Sequence, residues 1–119
     1  MVIDKVEWGK IVVNNQENGQ VLIIGDQVFE RDSEKLHQLF ETTHKIGDWE
    51  EEKLFSGRPE IIVIGNGFDG ALEVGEKLKA ESEELGIELK ILKTPQAVEE
   101  YNKLMGEGKR VNALIHTTC

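Results

Sequence analysis

The feature that most constrains the fold is a run of four apolar, β-branched residues from Ile61 to Ile64, between Pro59 and a glycine-rich segment. Because the run shows no alternation of apolar and polar residues, it is typical of a strand that is buried on both faces. Two further strands are indicated by the alternating residues from Ile87 to Ile91 and from Val111 to Ile115. Residues 59–119 are therefore predicted to form a β-α-β-α-β unit, whose right-handed crossovers make the three strands parallel.

Two helices are predicted between these strands. The first begins near Ala71 and ends at Gly86, a residue type favoured just after a helix. The second begins at Pro95, with Thr94, a preferred capping residue, as its N-cap. The apolar stripes of the two helices consist of Ala71, Val74, Leu78 and Leu85, and of Ala97, Tyr101 and Leu104. The predicted core contains Ile62, Val63, Ile64, Leu78, Ile91, Tyr101, Leu104, Ala113 and Ile115.

The preceding part of the chain has a different organisation. Residues 1–30 are predicted to form a β-hairpin region, in which Asn18–Gly19 is the turn and Val21–Ile24 is one strand. Residues 31–58 are predicted to be irregular with short helices. The three regions together are expected to make one domain, residues 1–119, which is close to the commonest domain size.

Two short helices are indicated within residues 31–58. The first follows Asp32 or Ser33 as its cap and has Leu36, Leu39 and Phe40 at helical spacing. The second begins at Asp48, which is expected to cap it. The run from Glu50 to Glu52 is interpreted as a solvated first turn, where the helix dipole favours negative charge.

Charge excludes several classes of partner. The 14 basic and 23 acidic residues give a net charge of −9, which repels phosphate backbones and anionic lipids. No apolar stretch approaches the roughly 18 residues of a membrane helix. The first ten residues resemble neither a signal peptide nor a transit peptide, and the single cysteine, Cys119, suits a reducing compartment. We therefore expect a cytoplasmic protein that binds neither nucleic acid nor membrane.

The segment from Gly65 to Gly70 fits the pattern G-x-G-x-x-G. Glycines in this context let backbone amides approach a phosphate at a helix N-terminus. A dinucleotide site would also need an acidic residue about 20 positions further on, and none stands at the end of the second strand. No cofactor is therefore expected. The segment remains either an anion-binding loop or a tight structural turn.

Topology predicts where an anion would bind. The carboxyl ends of parallel strands share one edge of a sheet, and ligands of open α/β proteins bind at that edge. Weak anion binding is accordingly predicted at Gly65, Asn66, Gly67, Thr94, His116 and Thr117. The alternative is that the same hydroxyl groups cap helices and close the edge of the sheet.

Histidine and cysteine at the end of the last predicted strand raise the question of catalysis. His116 and Cys119 are three residues apart, so that in a strand their side chains point to opposite faces. His37 and His44 lie in the irregular region, where no metal-ligand spacing is recognisable. We therefore predict no catalytic residue and no metal ligand, and we interpret Cys119 as structural. Trp8 and Trp49 are interpreted as core or hairpin-face residues.

Several motifs together resemble one small protein family. They are Ile62–Gly67, Thr94–Ala97 with Tyr101–Asn102, Gly108–Val111, His116–Cys119, and Thr43–His44 before the acidic helix. The family is that of the adipogenesis-associated domain-containing protein of animals, which has archaeal and bacterial relatives of similar length. The resemblance implies an α/β fold of three layers, with a mixed central sheet and an N-terminal β-hairpin bent over one side. It implies no reaction, although a distant mitochondrial branch helps to assemble respiratory complex I.

The expected function is that of an uncharacterised soluble domain that acts as a protein-binding or assembly-accessory module. The alternative is a small enzyme or binding protein for an anionic metabolite at the Gly65–Gly70 loop. An enzyme requires a general acid or base within reach of that loop, so His44 or His116 converging on a cavity would favour it.

Overall fold

The computed structural model describes residues 1–119, which form eight strands and four helices. The strands are β1 (Ile3–Glu7), β2 (Lys10–Val13), β3 (Gln16–Asn18), β4 (Val21–Ile24), β5 (Gln27–Glu30), β6 (Ile61–Asn66), β7 (Glu88–Leu92) and β8 (Val111–His116). The helices are α1 (Ser33–Phe40), α2 (Asp48–Phe55), α3 (Glu76–Glu84) and α4 (Thr94–Gly106). None of the four helices combines the length and the apolar composition that a membrane-spanning helix needs.

The strands form two sheets. The larger has the order β5-β4-β8-β6-β7, in which β8, β6 and β7 are parallel and β4 is antiparallel to both of its neighbours. The smaller is an antiparallel meander of β1, β2 and β3. The predicted parallel unit and the mixed central sheet are both confirmed.

The apolar residues of the central strands alternate between two cores. Ile62 and Ile64 of β6 face one side, where Leu54 of α2 and Leu78 of α3 cover them. Val63 faces the other side, where it joins a core formed with α4 and the small sheet. Since both faces of β6 are covered, the molecule has three layers, as expected.

The predicted core residues are buried, with one exception. Ile91 is only half-buried because β7 is the edge strand of the central sheet. Two residues placed on buried stripes are also exposed: Leu39 by 60% and Leu85 by 61%. Leu39 follows the buried Leu36 on a helix of only two turns, and Leu85 lies beyond the last residue of α3.

The predicted hairpin is wrong in its pairing. Asn18–Gly19 does not join two paired strands, because β3 belongs to the small sheet and β4 to the central one. The first three residues of β4 are buried, whereas β3 consists of polar Gln16, Glu17 and Asn18. An apolar strand of this kind is stabilised inside the central sheet between β5 and β8 rather than at the edge of a meander.

The helix predicted from Ala71 begins only at Glu76. The Gly70 amide makes a turn bond to Gly67 O, and the other backbone amides of residues 68–73 donate to more distant oxygen atoms, including Asn66 O and His44 O, so the segment lacks helical hydrogen bonds. The glycine-rich loop therefore does not open directly into a helix. The end of α3 is as predicted, with Gly86 at a φ of 70°.

The acidic start of α2 also differs from expectation. Gly47, not Asp48, is the N-cap, and the Glu50 carboxylate accepts a hydrogen bond from its backbone N–H at 3.0 Å. Glu50 and Glu51 are buried, so the interpretation of the run as solvated is wrong for two of its three residues. The cap of α1 is confirmed, because the Asp32 side chain accepts from the Lys35 amide.

The central strand provides a test of the packing. We expect Ile64→Ala to lower the free energy of unfolding by about 2–5 kcal/mol, because it removes buried methyl groups and leaves a cavity. Leu39→Ala is the control, with an expected change within about 0.5 kcal/mol because its side chain is exposed. Urea denaturation measures both. Equal losses would contradict the buried position of β6.

Candidate functional site

The carboxyl ends of β6, β7 and β8 meet at one edge of the central sheet, as predicted from their parallel order. Thr94 connects the segments there: its hydroxyl donates to the His116 carbonyl at 2.5 Å and accepts from the Gly67 amide at 2.9 Å. Thr94 therefore bridges two segments instead of capping α4, whose N-cap is Lys93. Asn66 lies opposite His116 in the strand register.

The main-chain oxygens of the segment from His116 to Cys119 all accept hydrogen bonds. The His116 oxygen accepts from Thr94, as described above. Thr117 O accepts from the Gly9 amide at 2.8 Å, and Thr118 O accepts from the Phe68 amide at 2.8 Å. Helix α4, the β1–β2 turn and the glycine-rich loop thus contribute donors to one short segment at the sheet edge.

The glycine-rich loop holds this segment closely. The amides of Asp69 and Ala71 both donate to the main-chain oxygen of Cys119, at 2.7 and 3.1 Å. Gly67 has a φ of 104°, and a Cβ added there would collide with the backbone of Cys119. Position 67 therefore requires a glycine, both because its φ is positive and because Cys119 leaves no room for a side chain. The loop amides surround an oxygen atom that belongs to the chain itself.

Four of the six predicted anion-binding residues are joined through Thr94. Gly65 packs against the Thr94 hydroxyl, and Gly67, Thr94 and His116 share hydrogen bonds. The Thr117 hydroxyl donates instead to Gly19 O at 3.0 Å. Asn66 is set apart, because its Oδ1 atom is buried without a hydrogen-bond partner.

Sequence reasoning missed the residue at the centre of the adjoining polar network, Arg31. Its guanidinium is buried, and all five of its N–H groups have partners. Nε and Nη2 donate to the two carboxylate oxygens of Glu50 at 2.7 and 2.9 Å, a bidentate ion pair. The remaining donors reach Gln20 Oε1 and the carbonyls of Thr43 and Lys45.

Arg31 also determines the tautomer of His116. Because a guanidinium can only donate, the Gln20 atom that it contacts at 2.7 Å must be the amide oxygen. His116 Nδ1 lies 2.6 Å from the same oxygen and must therefore carry the proton. The neutral ring then presents the lone pair of Nε2, which accepts from the Thr118 hydroxyl at 3.2 Å.

The electrostatics of His116 oppose a role in catalysis at neutral pH. Burial first, then the positive charge of Arg31 and the neighbouring His44, lowers the pKa of His116 from 6.5 to about 4. The hydrogen-bonded side chains of Thr118, His116 and Gln20 are arranged like the nucleophile, base and orienting group of a catalytic triad. However, the third group is a neutral amide, and a base with this pKa provides little driving force for proton transfer at pH 7.

The other predicted groups do not complete a reactive centre. His44 packs edge-on against His116, with 5.2 Å between the ring centroids. Cys119 has a free, half-buried thiol. No group of three or more His, Cys, Asp or Glu side chains is placed to hold a metal ion.

A polar cavity of about 290 Å³ opens beside this network. It is lined by Gly9, Gly19, Gln20, Glu30, Arg31, Ser33, Thr117 and Thr118, without a single apolar residue. Glu30 contributes the only carboxylate and accepts from the Gly19 amide at 2.8 Å. The donors of Arg31 are already used, so the cavity offers hydroxyl and backbone groups rather than a free positive charge.

An aromatic pair, exposed Trp8 and half-buried Phe68, lies next to the cavity. Trp8, in the turn between β1 and β2, is 58% exposed and contacts Phe68 of the glycine-rich loop, with 5.9 Å between the ring centroids. The neighbouring Gly9 amide is bonded to Thr117 O, which fixes this turn to the sheet edge. Trp8 is thus neither a core residue nor a buried residue of the hairpin face.

The Arg31–Glu50 pair provides a second test. We expect Glu50→Gln to lower the free energy of unfolding by about 3–5 kcal/mol, because it leaves the Arg31 charge buried without a counter-ion. Glu52→Gln, on the same turn but exposed, is the matched control and should change stability by less than about 0.5 kcal/mol. Thermal denaturation of the two variants distinguishes these outcomes. A tolerated Glu50→Gln would contradict the central role of the pair.

His116 provides a test by pH. Its folded-state pKa of about 4 lies below the unfolded value of 6.5, so the unfolded state binds the proton first as the pH falls. The free energy of unfolding should therefore be highest above pH 6.5 and should fall by about 3 kcal/mol as the pH decreases towards 4. NMR titration of the His116 ring should give a midpoint near 4. A midpoint at 6 or above would contradict the described environment.

Comparison with known proteins identifies the family. A family model described as "Protein of unknown function (DUF498/DUF598)" matches residues 3–116. The conserved hypothetical protein PH1505 from Pyrococcus horikoshii OT3 is 26% identical over 100% of both chains, with a TM-score of 0.86. A structure named MT938 is 29% identical over 99% of this chain and 98% of its own, with a TM-score of 0.80. A protein from Bordetella pertussis, described as a Mth938-like domain, is 17% identical over 98% of this chain and 85% of its own, with a TM-score of 0.63, and is similar in fold. The chain therefore belongs to the DUF498/DUF598 family of proteins of unknown function.

Proposed function

We propose that this chain is a protein-binding accessory module and that Trp8 is the anchor of its binding surface. The observation that carries the proposal is the exposure of Trp8 in a turn that is fixed in place. A tryptophan presents a large apolar area, and leaving it in water forgoes the stabilisation that burial would provide. Tryptophan is also among the residue types that contribute most to binding energy in protein interfaces.

The surroundings of Trp8 support the same conclusion. Phe68 extends the apolar contact area, and the neighbouring polar cavity provides the hydroxyl groups of Ser33 and Thr118. An aromatic centre bordered by polar groups is the usual composition of a protein interface. Because the Gly9 amide of this turn is hydrogen-bonded to Thr117 O, just after β8, little conformational entropy would be lost on binding.

The finer assignments belong to this proposal. The chain resembles the family of the adipogenesis-associated domain-containing protein. A distant mitochondrial branch of that family helps to assemble respiratory complex I, which is consistent with an accessory role. We place the protein in the cytoplasm as a soluble domain that comprises residues 1–119. The net charge of −9 makes a nucleic acid or an anionic membrane an unfavourable partner.

The test compares two exposed apolar residues. We expect Trp8→Ala to abolish recovery of a stoichiometric partner when the tagged chain is isolated from its own cells. Leu39→Ala, with a similar exposed fraction on α1, should retain the partner. With Trp49→Phe, Trp8 becomes the sole tryptophan, and its fluorescence should shift to the blue when the partner is added. Equal recovery by both alanine variants, or unchanged fluorescence, would refute the proposal.

A second candidate function is the binding of an anionic small molecule at the Gly65–Gly70 loop. It is favoured by one observation, the convergence of the Asp69 and Ala71 amides on a single oxygen atom. An anion there would have to replace Cys119 O. Titration with phosphate or a mononucleotide should then shift the amide resonances of both loop residues together with those of Thr118 and Cys119. Unchanged resonances at millimolar concentrations would exclude this site.

A further inference from the structure

A groove runs between α2 and α3, on the side of the sheet opposite α4. One wall is a stripe of α2 at positions i, i+3, i+4 and i+7, and the other is a stripe of α3 and its end at i, i+4 and i+8. The lining residues are Asp48, Glu51, Glu52 and Phe55 on α2, and Lys77, Glu81 and Leu85 on the other wall. The groove encloses about 360 Å³ and has acidic residues along most of its length.

Glu51 is the unusual residue in this groove. It is only 9% exposed, yet its Oε1 atom has no hydrogen-bond partner. The nearest cation, Lys77 Nζ, is 4.0 Å away and largely exposed, and Asp48 and Glu81 add repulsion. Burial raises the pKa of the Glu51 carboxyl above its usual value. The neighbouring Glu50, equally buried, is fully paired with Arg31.

The groove becomes apolar and then basic towards the end of α2. Phe55 and Leu85 line both this groove and an adjoining cavity of about 670 Å³. Leu85 is one of the few large apolar residues that are strongly exposed. Arg58 and Arg110 line the adjoining cavity; Arg110 is paired with Glu60 at 3.9 Å, whereas Arg58 has no carboxylate within ion-pair distance.

We propose that this groove binds a helical segment of a partner protein that carries a basic, an apolar and an acidic side chain in succession. The basic side chain pairs with Glu51, the apolar one covers Phe55 and Leu85, and the acidic one pairs with Arg58 and Arg110. Charge complementarity at both ends sets the orientation of the segment. A second copy of this chain is a poor occupant, since each copy carries a net charge of −9.

The spacing of the groove defines the segment. Glu51 and Phe55 are four residues apart on α2, which is about 6 Å along the helix axis. A partner helix that lies along α2 matches this distance with side chains at i and i+4. Arg58 lies beyond the end of α2 but lines the same cavity as Phe55, so we place the acidic side chain one turn further along the peptide, at i+7. The probe is therefore a 15-residue alanine-rich helical peptide with Arg, Leu and Glu at these three positions.

Glu51 can first be tested without a ligand. If its charge serves binding rather than folding, Glu51→Gln should leave the thermal midpoint unchanged or raise it by a few degrees. Glu83→Gln, which removes the same charge from an exposed position outside the groove, is the control. A midpoint for Glu51→Gln clearly below that of the control would assign Glu51 a structural role and overturn the proposal.

Binding is tested by a double-mutant cycle with the labelled peptide, followed by fluorescence anisotropy at low salt. Glu51→Gln in the protein, or Arg→Gln in the peptide, should each weaken binding at least fivefold, and the two together no more than either alone. Glu83→Gln should not change the affinity. Additive losses, or no saturable binding up to millimolar peptide, would overturn the proposal, as would dimerisation of the chain through Leu85. Trp8→Ala should bind the peptide normally, so this result is independent of the surface proposed above.

Discussion

The buried guanidinium of Arg31 is the interaction on which the irregular part of the chain depends. It follows β5 directly and binds Glu50 at the start of α2, so it fixes that helix against the central sheet. Its other donors bind the carbonyl oxygens of Thr43 and Lys45, in a segment between α1 and α2 that forms neither helix nor strand. A charge that is buried in this way is tolerated only when every donor is paired, and here all five are.

The same guanidinium acts on the edge of the sheet through Gln20 and His116. His116 is the last residue of β8, and the backbone that follows it occupies the loop amides of Asp69 and Ala71. In many open α/β proteins this edge is where ligands bind. Here the polar groups of the edge bind one another. Any external ligand would have to compete with hydrogen bonds that hold β8, the glycine-rich loop and the β1–β2 turn together.

Local sequence patterns predicted the elements whose determinants lie within the element. The continuous apolar run of β6, the stripe of α4 and the glycine after α3 are examples. Long-range contacts decided the features that were missed. Residues 68–73 do not form a helix because most of their amides are bonded elsewhere, and Glu50 is buried because Arg31, nineteen positions earlier, pairs with it. The sheet edge was predicted from topology, whereas Arg31 and Gln20 gave no local signal.

Two features of the molecule depart from what stability alone favours. Trp8 is exposed at a turn position where a polar residue would be expected. Glu51 is buried, but its carboxylate lacks an ion pair like the one that Glu50 makes with Arg31. Sites where a local rule is broken without compensation are where function is expected in a protein that otherwise follows those rules. Trp8 belongs to the small sheet, which packs on the same side as α4, whereas Glu51 belongs to the opposite layer. Because the central sheet lies between them, one short peptide cannot contact both, and the two surfaces must be explained by separate contacts.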